Sequence, residues 1–135
     1  MRKINAIIVH STATPAGRDV TVEEIRAWHR ARGFADVGYH FIVYRDGSVM
    51  PGRPIARPGA HCLNHNANTI GVCYVGGLSA DGRTPADTRT AAQRLAMRAL
   101  LSTLVHVFNC KVFGHRDFAR TECPSFDARR EYSSL

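Results

Sequence analysis

The 135-residue chain is poor in lysine, with Lys3 and Lys111 against sixteen arginines, so its net charge of +7 is carried almost entirely by guanidinium groups. There is no run of five or six like charges. That excludes a polybasic tail, and no specific nucleic-acid partner is expected. The scattered arginines form a solvated basic surface or a general attraction to polyanions, cell-wall polymer among them. Long apolar runs are also missing. Ala6-Ile7-Ile8-Val9 is the apolar stretch nearest the start, and it falls far short of the ~20 residues of a membrane helix. It is too short for the core of a signal peptide as well. We expect synthesis in the cytoplasm without a signal peptide, and no membrane insertion.

Close cysteine pairing is absent. Cys62, Cys73, Cys110 and Cys123 form no short spacing motif, and a chain of this length does not need disulfide staples. They read as reduced thiols. Three are expected to pack in the interior, with Cys123 the exception. Repeats and low-complexity segments are missing too. So is a pair of carboxylates suited to glycosidic cleavage, because Glu23, Glu24 and Glu131 fall on predicted helices and Glu122 adjoins Cys123.

What remains is ordinary globular material, 44% hydrophobic and 21% charged, long enough for one domain with a real core. Residues 4–9 read as a buried strand ending at His10. Thr21 and Glu24 form a capping box that opens a helix ending at Gly33, with Val22, Ile25 and Trp28 as its apolar face. Residues 37–44 read as a strand, and Asp46-Gly47 turns it into Ser48-Val49-Met50. Residues 51–69 form a long loop rich in proline and glycine, which in a compact domain is usually functional. Thr69 to Val75 is a central strand. Thr90 and Gln93 cap a helix reaching about Phe108, its buried face being Met97, Leu100, Leu101, Leu104 and Phe108. A strand at 111–113 and a short helix from about Phe126 follow. The expected fold is single-domain α/β, a mixed central sheet of about five strands with helices on both faces.

The chemistry gathers in Gly114-His115-Arg116-Asp117-Phe118-Ala119-Arg120-Thr121-Glu122-Cys123-Pro124. A histidine and a cysteine lie close together in a stretch too polar and irregular for a core. Both are natural zinc ligands, and a hydrolytic zinc takes three protein ligands with one position left open. His10, at the end of an apolar strand, is the third candidate. In open α/β sheets, sites collect at the carboxyl ends of strands, and His10 and His115 each follow such an end. His61 and Asn66, both in the long loop, are expected to line a substrate groove. His40 is expected to be a structural hydrogen-bonding histidine, His29 to face solvent or pack, and Arg116 and Asp117 to hold the site loop.

Five stretches then occur in order: Ile8-Val9-His10-Ser11-Thr12-Ala13-Thr14, Asp36-Val37-Gly38-Tyr39-His40-Phe41, Asn64-His65-Asn66, Ile70-Gly71-Val72, and Gly114-His115-Arg116-Asp117 through Cys123-Pro124-Ser125-Phe126-Asp127. Together they resemble the type 2, zinc-dependent N-acetylmuramoyl-L-alanine amidases, the group of the amidase-type phage lysozymes and animal peptidoglycan recognition proteins. The resemblance spans nearly the whole chain. It implies the peptidoglycan recognition protein-like fold and one Zn2+ held by His10, His115 and Cys123. It also implies hydrolysis of the amide between N-acetylmuramic acid and L-alanine, with peptidoglycan or muropeptide as substrate and a monomer acting on the cell wall. Tyr39 matches the family's catalytic tyrosine. Thr121 stands where many phage members carry lysine and many recognition proteins with amidase activity carry threonine.

Zinc suits an unactivated amide because it brings bound water to a pKa of ~7 and polarises the carbonyl. Two imidazoles and one thiolate leave a single positive charge at the metal. The Tyr39 and Thr121 hydroxyls can each donate one hydrogen bond to the developing oxyanion. Two other readings compete. One is a peptidoglycan-binding module of the same fold that has lost catalysis. The other is a thiol hydrolase using His61 with Cys62, or a distant histidine with Cys73.

Overall fold

The computed structural model describes residues 1–135. In chain order it holds β1 (Ala6–Ser11), β2 (Thr14–Pro15), α1 (Val22–Ala31), β3 (Phe41–Val43), β4 (Val49–Pro51) and β5 (Thr69–Tyr74). Then come β6 (Gly77–Leu78), α2 (Ala91–Phe108), β7 (Lys111–Gly114), a 3-10 turn (His115–Asp117) and α3 (Ala128–Glu131). The main sheet has the order β4-β3-β5-β1-β7. β1 runs parallel to both β5 and β7, β3 runs parallel to β5, and only β4 is antiparallel. β2 and β6 form a small second sheet.

Every residue of β1 and β5 is buried, as continuous apolar strands covered on both faces must be. Successive residues point to opposite faces, and this divides the core in two. Ile7, Val9, Ile70, Val72 and Tyr74 meet Met97, Leu101 and Leu104 of α2, with Ala128 and Tyr132 beside them. On the other face Ile42 packs with Val20, Val22 and Ile25 around α1. Because Val9 faces α2, His10 faces the α1 side, at the carboxyl rim shared by the parallel strands.

Both capping boxes form. The second does more than cap its helix. Gln93 is fully buried, its carbonyl accepts from Thr90 N, and its amide donates to Val43 O at 3.2 Å and Val75 O at 3.0 Å. It thereby ties the start of α2 to the ends of β3 and β5.

Two local expectations change. The strand expected over 37–44 is a ladder only at Phe41–Val43. Residues 37–40 are held instead by the long loop: Ala60 N donates to Gly38 O at 3.0 Å and Arg53 Nε to Val37 O at 2.8 Å. A Cβ on Gly38 would sit 2.1 Å from Ala60 O, so only glycine allows that approach. On α1 the buried set is Val22, Ile25 and His29, while Trp28 is 38% exposed beneath the Arg18 guanidinium. His29 wins the inward position because its Nδ1 accepts from Gly38 N at 2.8 Å, a bond that tryptophan cannot supply there.

Candidate metal centre

His10 is the fifth residue of β1 and is 1% exposed. His115 opens the turn after β7, two strands ending side by side. Cys123 returns on the following loop. That loop is held by short-range bonds: Gly114 N donates to Asp117 Oδ2 at 2.8 Å, and Arg116 N donates to Cys123 O at 2.8 Å. An Arg116 guanidinium nitrogen donates to Glu122 O at 3.2 Å, so Arg116 and Asp117 do brace the loop. Its far end is pinned by Tyr74, whose buried hydroxyl donates to Pro124 O at 2.7 Å. A Cβ on Gly114 would lie 3.0 Å from Pro124 Cδ, so a larger residue there would press on the proline.

The ligand atoms of His10, His115 and Cys123 all lie within 4.8 Å of one another. His10 Nδ1 is 3.9 Å from Cys123 Sγ, and the two imidazole centroids are 4.6 Å apart. Burial pushes His10 well below the usual imidazole range, with His61 and His115 adding to it. Burial also lowers His115. Neutral imidazoles keep the lone pairs that a metal needs. Burial raises the Cys123 thiol, opposed by the Ser11 N–H, which donates to Sγ at 3.3 Å. A backbone donor aimed at sulfur favours the thiolate. Two neutral imidazoles, a sulfur with its own donor and an open side fit a catalytic zinc site.

The trio sits in a cleft of about 640 Å³. Tyr39 lines it, its ring 5.1 Å from His10 and 5.3 Å from His29. Burial pushes its phenol up, and Cys73 and Cys123 push it further, so the hydroxyl keeps its proton. Thr121 is exposed at the cleft wall. Its oxygen accepts from Cys123 N at 3.2 Å, which leaves its proton free.

His61 and Asn66 both reach the cleft wall, His61 with both ring nitrogens engaged and Asn66 through its side-chain oxygen only. His61, expected in a substrate groove, is 9% exposed, with Nδ1 2.8 Å from His10 Nε2 and Nε2 3.3 Å from Thr69 Oγ1. Neither ring nitrogen is left for a substrate. Asn66 Oδ1 accepts from both His61 N and Cys62 N, at 2.9 and 3.0 Å. Its acceptor holds the loop. His40 is structural as expected, Nδ1 accepting from Gly71 N at 3.0 Å and Nε2 donating to Arg57 O at 2.8 Å. His29, beneath Tyr39, is the supporting residue that the sequence reading missed. Its spacing from Val22 and Ile25 was the available signal.

All four cysteines are free. Burial raises both the Cys62 and Cys73 thiols, the opposite of what a nucleophile needs. No histidine is a hydrogen-bond partner of Cys62 or Cys73, whose Sγ turns to Tyr74 O at 3.7 Å, so the His–Cys pair that a thiol hydrolase needs is not formed.

The comparisons agree with this geometry. The N-acetylmuramoyl-L-alanine amidase family model matches residues 1–126. The endolysin of Enterobacteria phage T3 is 46% identical over 126 residues, covering 93% of this chain and 83% of that protein. The human N-acetylmuramoyl-L-alanine amidase is 34% identical over 137 residues, covering 93% of this chain but 24% of that protein. Among solved structures, the N-acetylmuramoyl-L-alanine amidase LysC from Clostridium intestinale superposes with a TM-score of 0.82 at 28% identity, covering 96% of this chain and 82% of that one. With the fold, the clustered His10, His115 and Cys123 and these matches in agreement, the chain belongs to the N-acetylmuramoyl-L-alanine amidase family and is a peptidoglycan amidase.

Proposed function

We propose that His10, His115 and Cys123 hold one zinc ion, and that the chain cuts the amide between the lactyl group of N-acetylmuramic acid and the first L-alanine of the stem peptide. The observation that carries this is the convergence of three ligand-type side chains, from β1, the turn after β7 and the loop beyond, within 4.8 Å in an open cleft. Zinc in such a site supplies Lewis acidity, making water nucleophilic near neutral pH and polarising the scissile carbonyl.

The rest of the work falls to the chain. Ser11 N–H steadies the Cys123 sulfur as a thiolate. Tyr39 donates its proton to the oxygen that gains charge as the carbonyl carbon becomes tetrahedral. Thr121 offers a second proton, with its oxygen anchored on Cys123 N. Threonine brings no positive charge, so its share is smaller than a lysine's would be. Arg32 is the one Arg or Lys on the cleft wall, and it is where an acidic group of the stem peptide would be received. Phe34 and Leu63 give that wall its apolar surface. All these groups lie on one chain, so a monomer acting on the cell wall suffices for the reaction. No helix is long and apolar enough to cross a membrane.

Digestion of purified peptidoglycan tests the reaction. It should release new amino groups on L-alanine with no new reducing sugar ends, cease on chelation, and resume with zinc. Reducing ends that rise in step with lysis would overturn the bond assignment. Elemental analysis showing a full equivalent of zinc on Cys123→Ala would overturn the ligand set.

A further inference from the structure

We propose that His61 is a positioning residue: its Nδ1 accepts the Nε2–H of His10 and so holds His10 in the tautomer whose Nδ1 faces Cys123. This rests on the metal-site reading above, and it deepens that reading by adding a group that none of the three ligands supplies.

One line of hydrogen bonds, with both rings neutral, fixes the tautomers. Thr69 Oγ1 lies 2.6 Å from His65 O, and a carbonyl can only accept, so the hydroxyl proton points there. The Thr69 oxygen then presents lone pairs to His61 Nε2 at 3.3 Å, which must carry hydrogen. Neither His61 nor His10 has a carboxylate among its hydrogen-bond partners. Each is a neutral ring with one N–H and one lone pair. His61 Nδ1 is therefore an acceptor, and the atom 2.8 Å from it, His10 Nε2, is the donor. The lone pair of His10 falls on Nδ1, the nitrogen 3.9 Å from Cys123 Sγ. In the other tautomer His10 would turn an N–H toward the metal position and could not ligate.

The seat of the His61 ring is built for this. A Cβ on Gly71 would lie 2.7 Å from His61 Cγ and 2.9 Å from its Nδ1, and a Cβ on Gly59 would lie 2.6 Å from its Cδ2. Two glycines thus clear the space in which the ring stands. Asn66 Oδ1 grips the backbone N–H of both His61 and Cys62. Gly71 lies on β5, the strand that flanks β1, so the relay lies across the sheet beside its own metal ligand. A side chain serving only the substrate would need neither the glycines nor the relay to Thr69.

Two variants and two readouts test the proposal. His61→Leu fills the seat but offers no acceptor. His61→Asn returns an acceptor oxygen near the position of Nδ1. Zinc affinity, measured by chelator competition near neutral pH, should weaken about 10–100-fold in His61→Leu, and most of the loss should return in His61→Asn. Imidazole 15N spectra of the metal-free wild type should show His10 with hydrogen on Nε2, and His61→Leu should show a mixture. If His61→Leu does not fold, Thr69→Val serves instead, since it removes the acceptor of His61 Nε2–H and should weaken zinc in the same direction. Wild-type zinc affinity in the folded variant, or hydrogen on His10 Nδ1 in the metal-free wild type, overturns the proposal. A wild-type protein that binds no zinc defeats the metal-site reading instead, while the 15N spectra still decide the tautomer.

Discussion

Tyr74→Phe asks how the Cys123 loop is held. Tyr74 is fully buried, and its hydroxyl donates to Pro124 O at 2.7 Å, one residue beyond Cys123. Phenylalanine keeps the ring and its packing against Phe126, 6.1 Å between centroids, so the change isolates one hydrogen bond. Pro124 is itself buried, which leaves its carbonyl without a partner at a cost of about 1–3 kcal/mol. We take ~2 kcal/mol as the central value. For a chain of this size that lowers the melting temperature of the metal-free protein by roughly 8 °C. If the loop lifts locally instead of the whole chain unfolding, the same energy appears as a loss in zinc affinity of up to about 30-fold. Thermal unfolding of metal-free protein and chelator competition, run on the same preparation, read both. A melting temperature within about 2 °C of wild type together with unchanged zinc affinity would refute the idea that Tyr74 anchors the cysteine loop.

Other outcomes follow from the same geometry. Tyr39→Phe should lower kcat by up to about 100–1000-fold with little change in KM, while Thr121→Val should lower it far less because the site is open to water and Thr121 is exposed; steady-state kinetics beside a melting curve separates a lost donor from a loosened loop. Burial lowers His40 from 6.5 to about 4. The unfolded chain therefore takes up a proton before the native one does. His40 alone should contribute nothing above pH 6.5 and a fall of up to about 3 kcal/mol as pH drops toward 4, on top of the other buried histidines; urea unfolding of metal-free wild type and His40→Gln across that range should show a shallower slope in the variant. Arg89 has a fully buried side chain bonded to Asp87, Glu131 and Tyr132, with its guanidinium 3.5 Å over Phe126. Arg89→Met leaves Glu131 without a cation and Asp87 with Arg94 alone, at 3.0 Å, and thermal melting should report a loss of up to roughly 3 kcal/mol, the low end for a broken buried pair.

The sequence by itself determined what depends on local pattern and residue type. Thr21 with Glu24 and Thr90 with Gln93 place the two helix starts, because capping is settled within one turn. The Asp46-Gly47 turn and the apolar spacing of α2 were legible for the same reason. His10, His115 and Cys123 stood out because few side chains bind zinc and each lies at a strand end or in a polar loop. Tertiary structure decided what depends on neighbours far apart in the chain. Only the order β4-β3-β5-β1-β7 sets β1 between β5 and β7, so that His10 meets His115. His29 displaces Trp28 from the interior because a backbone N–H from Gly38 awaits it, and no helical periodicity encodes that donor. The position of His61 could not be read from its loop either. It follows from space left by Gly59 and Gly71 and from the lone pair of Thr69, contacts that form only once β5 lies beside β1 and the long loop folds over both.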